Sequence, residues 1–388
     1  MPTEATTVSI KLKPGTRPRV LHGHPWVFTN EIKKLLPSTY DGRAVYCRDS
    51  RGRFLGTGLY NSRSQIAWRR FSRHRADWDE SYLQGAIAAA VARRGDDPAA
   101  RLVWSEADDL PGLVVDRYGE VLVVQLLTAG SDRMKAAVTA ILQDLLKPLE
   151  ILLRNDAPAR RMEGLDATVR TVSGKPLQSG WSRIEGMEYR IDWERGQKTG
   201  FYLDQRKEHT EVGALAGGRS VLDAFCNHGG FALHCVRQGA ASVLGVDISE
   251  EAVEVARSNA ERNGLAAEFQ AANVFDFLRQ QEEASRDLVI LDPPPFARSK
   301  SELAGALRGY KEINLRAMKV LAPGGILATY CCSAHVGWSR FAEVLNEAAA
   351  DVGRKLTVLR CCHQPPDHPV LLSMPESEYL RGYVLRAD

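Results

Sequence analysis

The sequence predicts an α/β fold class: a parallel, doubly wound sheet in the C-terminal half, preceded by a small β-rich unit and a small central α/β unit. Three observations predict it. From about Ser220 apolar runs and amphipathic helical stretches alternate regularly. Residues 7–75 hold only short runs broken by turn signals. Charge also divides between the ends, with 15 Lys or Arg against four acids in residues 1–75 and 36 against 44 in the remainder. At 388 residues the chain exceeds what one core usually fills, about 250–300 residues, so several domains are expected.

In the first stretch, Val8 to Lys13, Ala44 to Cys47, Phe54 to Leu59 and Gln65 to Phe71 read as strands, with Asp41-Gly42 and Arg51-Gly52 as turns. The excess of Lys and Arg suits a polyanion, because phosphate contacts release condensed counterions. Basic and apolar residues mix in Ile66-Ala67-Trp68-Arg69-Arg70-Phe71, which makes Arg69 and Arg70 candidates for contacts with nucleic acid. Ala76 to Arg94 then reads as a helix stopped by Gly95. A strand from Leu102, the turn Asp109-Leu110-Pro111-Gly112 and runs from Leu113 to Asp116 and Val121 to Leu127 form a hairpin pattern. Ser131 is placed to cap a helix carrying Met134, Val138, Ile141, Leu142 and Leu145 on one face, and Pro148 ends it. Glu150 to Leu153 follows as a strand. The expected domains are therefore 1–75, 76–182 and 183–388.

In the third region the strands are Ser220 to Phe225, Ser242 to Asp247, Ala267 to Ala271, Asp287 to Leu291 and Gly325 to Cys331. The helices between them are Gly230 to Gln238, Glu250 to Asn263, Val274 to Gln281 and Ser301 to Val320, with Ser249 capping the second and Gly264 ending it. Ligands of such sheets bind outside the carboxyl ends of the strands, and the candidate residues fall there.

The first strand turns into its helix through Asp223-Ala224-Phe225-Cys226-Asn227-His228-Gly229-Gly230, where adjacent glycines let backbone amides approach a ligand. The turn is neither a GxGxxG fingerprint nor a P-loop, which weakens nicotinamide and ATP readings. Asp247, followed by Ile248, ends the second strand where a carboxylate can accept from ribose hydroxyls. Asn273 and Val274 follow the third strand and could read an adenine edge. After the fourth strand, Asp292-Pro293-Pro294-Pro295-Phe296 is a rigid lip that could hold a planar base against Phe296 with Asp292 on its amino group. The fifth strand runs into Cys331-Cys332-Ser333, so that either cysteine is a candidate nucleophile.

No apolar window long enough to span a bilayer occurs, and no secretory signal opens the chain, so no membrane partner is expected. Seven cysteines without framework spacing suit the reducing cytoplasm. Cys361, Cys362, His363 and His368 lie close together but fit no standard zinc pattern, and no metal is expected.

These motifs, with Gly23-His24-Pro25-Trp26-Val27-Phe28, Ser105-Glu106-Ala107-Asp108-Asp109-Leu110-Pro111-Gly112-Leu113, Thr199-Gly200-Phe201-Tyr202-Leu203-Asp204-Gln205-Arg206 and Arg308-Gly309-Tyr310-Lys311, occur in an order that resembles the RlmI-like family of large-subunit ribosomal RNA cytosine-5 methyltransferases. The resemblance covers essentially the whole chain. It implies a PUA domain, a central α/β domain and a Rossmann-like class I methyltransferase domain, with S-adenosyl-L-methionine as cofactor. Cys332 is then the nucleophile, Gln205 and Arg206 border the methionine end of the cofactor, and Asp292 lies beside the target base. Arg308, Tyr310 and Lys311 fall among the substrate contacts. The implied partner is 23S ribosomal RNA, naked or in a partly assembled large subunit, and homodimer formation stays open. Asn273 departs from the acid common at its position, and Ala334 from the usual Gly after Cys-Ser. Two other functions compete with this one: a guanine methyltransferase without a covalent intermediate, and a non-enzymatic RNA-binding assembly factor.

Overall fold

The computed structural model describes residues 8–15, 19–196, 198–297 and 299–388. The opening residues of the expected 1–75 unit, with 16–18, lie outside the described residues. The chain divides into two compact units. The first comprises the stretch up to Arg183 with Ile191–Leu203 and Pro366–Ser377, and the second comprises Ile184–Arg190, Asp204–Pro365 and Glu378–Asp388.

The first unit opens with strands β1 (Ser9–Lys11), β2 (Trp26–Val27), β3 (Ala44–Arg48), β4 (Phe54–Tyr60) and β5 (Trp68–Ser72), in the sheet order β1-β3-β4-β5-β2. Alternation along β3 sends Val45 and Cys47 into a core with Ile10, Val27, Tyr60 and Trp68, and turns Tyr46 and Arg48 outward. Helix α1 (Glu80–Arg94) starts where Asp79 accepts from the Tyr82 amide and stops at Gly95, whose φ of 64° is left-handed. Its buried face of Leu83, Ile87 and Ala90 lies on a second sheet, β6 (Ala99–Trp104), β7 (Leu113–Tyr118) and β8 (Val121–Leu126). Next come α2 (Ala129–Arg133), α3 (Lys135–Leu146), β9 (Glu150–Asn155), α4 (Ala159–Met162) and β10 (Thr168–Thr171). The sheet order is β10-β9-β8-β7-β6.

The expected cap, Ser131, is instead the third residue of α2. Thr128 is the cap of α2, accepting from the Ser131 amide, while the Ser131 hydroxyl bonds back to the Thr128 amide. A reciprocal pair of small hydroxyls needs both residues, and the helical spacing alone marked only the inner one.

Two short strands, β11 (Gly180–Ile184) and β12 (Met187–Ile191), lie where the chain passes between the units. The second unit then runs α5 (Arg206–Gly213), β13 (Ser220–Ala224), α6 (Gly230–Arg237), β14 (Ser242–Asp247), α7 (Glu250–Arg262), β15 (Glu268–Ala271) and α8 (Val274–Gln280). It ends with β16 (Arg286–Leu291), α9 (Leu303–Val320), β17 (Leu321–Cys331), α10 (Trp338–Asp351), β18 (Leu356–His363) and β19 (Arg381–Ala387). Its sheet has the order β15-β14-β13-β16-β17-β19-β18, parallel through β17 and antiparallel at the two last strands. Ser249 accepts from the Ala252 amide and Gly264 is left-handed at φ 65°, so α7 begins and ends as its sequence implies.

Arg69 and Arg70 do not form a solvent-facing basic edge. Arg70 is buried and donates to the Gly23 carbonyl. Arg69 bonds Glu106 at 2.9 Å, lies 3.5 Å from Glu163, and stacks its guanidinium over Trp26. Side chains two apart share a strand face, so Trp68 goes with Arg70 and Arg69 with Phe71. The run therefore never separates guanidinium groups from rings, and both arginines are spent on internal carboxylates and carbonyls. The buried Glu106 carboxylate would lose its cation in Arg69→Ala, which is expected to cost about 3 kcal/mol of stability. A urea midpoint equal to that of the wild type would contradict this role.

Candidate active site

Parallel pairing aligns the carboxyl ends of four strands. Ala224 of β13 lies beside Val246 of β14 and Leu291 of β16, and Leu291 lies beside Thr329 of β17. The sheet order changes direction at β13, so the turns after these strands open on one crevice.

The turn after β13 is built from alternating left-handed residues, with φ of 71° at Phe225, 45° at Asn227 and 80° at Gly229. Its amides are paired within the fold: Phe225 and Cys226 donate to the Val246 carbonyl, His228 to Asn227 Oδ1 and Gly229 to the Cys226 carbonyl. A Cβ on Gly230 would stand 2.3 Å from the His209 ring, so this glycine is required for α6 to start against α5. The Asn227 amide donates to Asp247 Oδ2 at 2.9 Å, and the Ser249 amide donates to Asp247 Oδ1 at 3.0 Å. Both carboxylate oxygens are thereby held in orientation, each with a lone pair left for a hydroxyl donor. Ile248, the next residue, is 70% exposed, an apolar surface beside a fixed carboxylate.

Asp223 is fully buried. Its Oδ2 accepts from the Ala232 amide at 2.9 Å, and Oδ1 has no hydrogen-bond partner among the described residues. Burial, reinforced by the nearby charges of Asp292 and Asp247 against the opposing Ala232 hydrogen bond, pushes the Asp223 carboxyl up to about 8. Asn273 caps α8, with its Oδ1 accepting from the amides of Phe275 and Asp276. The side-chain oxygen is thus committed to the cap, which leaves the NH2 group as the donor of that side chain.

On the other side of β13, Gln205 Nε2 donates to Asp292 Oδ1 at 2.9 Å, and Gln205 Oε1 is buried without a partner among the described residues. Arg206 pairs with Glu185 at 2.6 Å. Cys331 and Cys332 differ in burial. Cys331 is buried, and burial pushes its thiol up from the ordinary value. Cys332 is part-exposed, and its Sγ lies 3.5 Å from the Pro293 carbonyl oxygen. The Ser333 hydroxyl joins the lip to this loop: it accepts from the Ala297 amide at 3.3 Å and lies 2.9 Å from the Tyr310 hydroxyl. Arg381 holds the Ser333 carbonyl at 3.3 Å.

Four expected substrate contacts separate here. Phe296 is part-exposed, with its ring 4.6 Å from Tyr310 and 5.9 Å from Phe275. Tyr310 is fully buried, so it cannot meet a substrate and instead braces the lip. Lys311 turns to α10, pairing with Asp351 at 2.9 Å and Glu347 at 3.5 Å, while Arg308 is exposed on α9. Sequence reasoning missed Arg381 and the buried His209, which packs edge-on against Phe231 at 4.5 Å; neither belongs to a motif that marks it. Among the described residues no cluster of metal-binding side chains occurs, and no helix is long and apolar enough to cross a membrane.

A carboxylate held in orientation beside an exposed apolar residue, with the Asp223 and Gln205 oxygens buried without partners among the described residues, suits a ligand that carries ribose hydroxyls and further hydrogen-bond donors. The fold and site define an S-adenosylmethionine-dependent methyltransferase carrying a small N-terminal β domain. The family model for S-adenosylmethionine-dependent methyltransferases matches residues 108–375, and that for the PUA-like domain matches residues 10–73. Ribosomal RNA large subunit methyltransferase I of Aeromonas hydrophila is 37% identical over 98% of this chain and 100% of its own. The protein of that name from Photobacterium profundum is 38% identical over 97% and 98%. The chain belongs to the ribosomal RNA large subunit methyltransferase I family. The solved structure of a candidate SAM-dependent methyltransferase from Streptococcus mutans superposes with a TM-score of 0.83 at 18% identity, over 98% of this chain and 100% of that one. A second, the SMU.776 structure complexed with SAH, gives 0.84 at 18% over the same shares, a likeness of fold.

Asp223 also sets a pH dependence. Its carboxyl titrates near the ordinary value of 3.8 when unfolded and near 8 when folded, so the unfolded state alone ionises between these values, and native stability falls as pH rises. Asp223→Asn removes that loss. Its melting temperature is expected to exceed that of the wild type by a margin that widens from about pH 5 to about pH 8 and then levels. A margin independent of pH would contradict the buried, protonated acid.

Proposed function

We propose that the chain methylates carbon 5 of a cytosine in the 23S RNA of the large ribosomal subunit, acting in the cytoplasm through a covalent adduct with Cys332. Its relatives are named as ribosomal RNA methyltransferases, which supports a ribosomal RNA substrate. The observation that carries the covalent reading is the contrast between the paired cysteines: Cys331 is sealed in the core, while Cys332 is part-exposed against the Pro293 carbonyl, one residue from Asp292 on the lip.

In this reading the Asp223 turn, Asp247, Ile248, Asn273, Val274, Gln205 and Arg206 hold S-adenosylmethionine, which supplies an electrophilic methyl on a sulfonium. Asp292 and Phe296 hold the base. The Cys332 thiolate adds to carbon 6, and the electron pair released into the ring makes carbon 5 nucleophilic. Carbon 5 takes the methyl group, a base removes its proton, and the carbon–sulfur bond to Cys332 breaks to restore the ring. Tyr310 acts as a positioning residue through Ser333, keeping the lip and the cysteine loop in register.

Methyl transfer from labelled cofactor to unmodified 23S RNA, followed by nucleoside analysis, tests the reading. Label in 5-methylcytosine is expected with the wild type and at least about a thousandfold less with Cys332→Ala. RNA containing 5-fluorocytosine should trap a covalent complex with the wild type only, since fluorine cannot leave as a proton does. Label in a guanine derivative that survives Cys332→Ala would instead support the non-covalent reaction, and RNA binding without transfer the assembly factor. For Tyr310→Phe the expected outcome is a fall in kcat of about fivefold, from one lost hydrogen bond of about 1 kcal/mol, with KM for RNA unchanged. A change confined to KM would contradict a positioning role.

A further inference from the structure

Helix α7 meets an edge of β12 with two asparagines. Asn259 and Asn263 stand four residues apart, about one helical turn, so their side chains leave on the same side. Glu188 and Arg190 stand two apart on β12, so their amides leave along the same edge. Asn263 Oδ1 accepts from the Glu188 amide at 2.9 Å, and its Nδ2 donates to the Glu188 carbonyl at 2.8 Å. Asn259 Oδ1 accepts from the Arg190 amide at 2.8 Å. The side-chain amides thereby satisfy backbone groups that would otherwise need a further strand.

Asn259 differs from Asn263 in where its NH2 group points. Nδ2 donates at 3.0 Å to the His228 carbonyl, in the turn after β13, whereas Asn263 Nδ2 bonds only the Glu188 and Asn259 carbonyls. Asn259 is fully buried, so water cannot replace it at either partner. One partner is a backbone donor and the other a backbone acceptor, a demand that an amide side chain meets and a carboxylate does not. The His228 carbonyl and the Gly229 amide belong to one planar peptide group. The Gly229 amide donates to the Cys226 carbonyl at 2.8 Å, so with Asn259 on its oxygen this plane is held from both ends. It follows Asn227, whose amide bonds Asp247, and precedes α6, whose Ala232 amide bonds Asp223. The orientation of both acids therefore depends on it.

We propose that Asn259 is a positioning residue for S-adenosylmethionine, acting through the His228–Gly229 peptide to hold the turn in the shape that presents Asp223 and Asp247. This rests on the reading above, in which the turn and Asp247 hold the cofactor. Phe225 and Asn227 are left-handed, a conformation that persists in side-chain-bearing residues only where the surroundings impose it. Asn259 is one of those surroundings, reaching the turn from a neighbouring helix. Its second bond, to Arg190, fixes the plane of the side-chain amide and so the direction of the N–H that meets His228. Asn263 supplies the contrast: the same residue type clamps the same strand without a bond to the turn.

The test is calorimetric titration of S-adenosylmethionine, and separately of S-adenosylhomocysteine, into the full chain, for wild type, Asn259→Ala, Asn259→Asp, Asn263→Ala and Asp247→Ala. Melting temperatures establish that each variant is folded. Asn259→Ala is expected to weaken both ligands at least about tenfold, because the His228 carbonyl is left buried and unpaired. Asn259→Asp keeps the acceptor for Arg190 but has no donor for His228, so it is expected to lose as much. Asn263→Ala should lower the melting temperature and leave both affinities within about twofold of the wild type, since the backbone groups it frees are on β12 alone. In steady state, Asn259→Ala raises KM for the cofactor and leaves KM for RNA unchanged. Wild-type affinity in Asn259→Ala or in folded Asn259→Asp overturns the proposal, and so does equal weakening by Asn259→Ala and Asn263→Ala, which would reduce the role to clamping β12. Should the buried carboxylate keep Asn259→Asp from folding, the comparison of Asn259→Ala with Asn263→Ala decides alone. Cofactor affinity unchanged in Asp247→Ala would instead remove the reading of the crevice on which the assignment rests.

Discussion

Parallel pairing of β13 with both β14 and β16 is the constraint on which the chemistry of the second unit depends. Parallel strands end at the same edge of a sheet, and each must hand the chain to a helix before the next can begin. With β13 at the reversal of strand order, the helices leave on opposite faces and a crevice is left at its carboxyl end. Residues as distant as Asp223, Asp247, Asp292 and Cys332 meet there because of strand geometry. A slip of one residue in any of these pairings would turn Asp223 or Cys332 to the other face of the sheet and dismantle the site.

The edge carries more strain and less satisfaction than the sheet behind it. Phe225 and Asn227 hold left-handed conformations that cost side chains about 1 kcal/mol or more each, and Asp223 and Gln205 keep buried oxygens without partners among the described residues. Two acids, Asp247 and Asp292, raise the proton affinity of Asp223. A cationic ligand reverses that balance, since each positive charge brought to the edge favours ionised carboxylates. S-adenosylmethionine carries an ammonium and a sulfonium, and the sulfonium charge disappears on transfer.

Much of this edge was legible in the sequence because buried parallel strands read as continuous apolar runs, and the polar residue that ends each run is the one that reaches the crevice. Asp247 and Asp292 stand at such breaks, closing β14 and following β16. The antiparallel end of the sheet was not legible. In β18 the run Leu356 to His363 mixes exposed Val358 and Leu359 with buried Cys362 across an irregular register, so its period is broken. The role of Tyr310 was misread for a related reason. An aromatic in a polar motif resembles a substrate contact, but only the fold reveals that its hydroxyl is consumed by Ser333.

The arginines of β5 mark a sharper limit. Composition establishes that the first 75 residues are basic, and counterion release makes that a property of the whole surface. Which cations face outward depends on which strands pair and which side the core occupies, and neither is a local property. Arg69 and Arg70 occupy the most basic-aromatic run of the segment, yet they are consumed by Glu106, Glu163 and the Gly23 carbonyl. The glycines of the neighbouring strand allow this. A Cβ at Gly56 would stand 2.8 Å from the Arg70 side chain, and one at Gly58 would stand 2.5 Å from Trp68. Missing side chains on β4 are thus the room in which those of β5 are buried, and a glycine pair opposite a strand is evidence that its long residues turn inward.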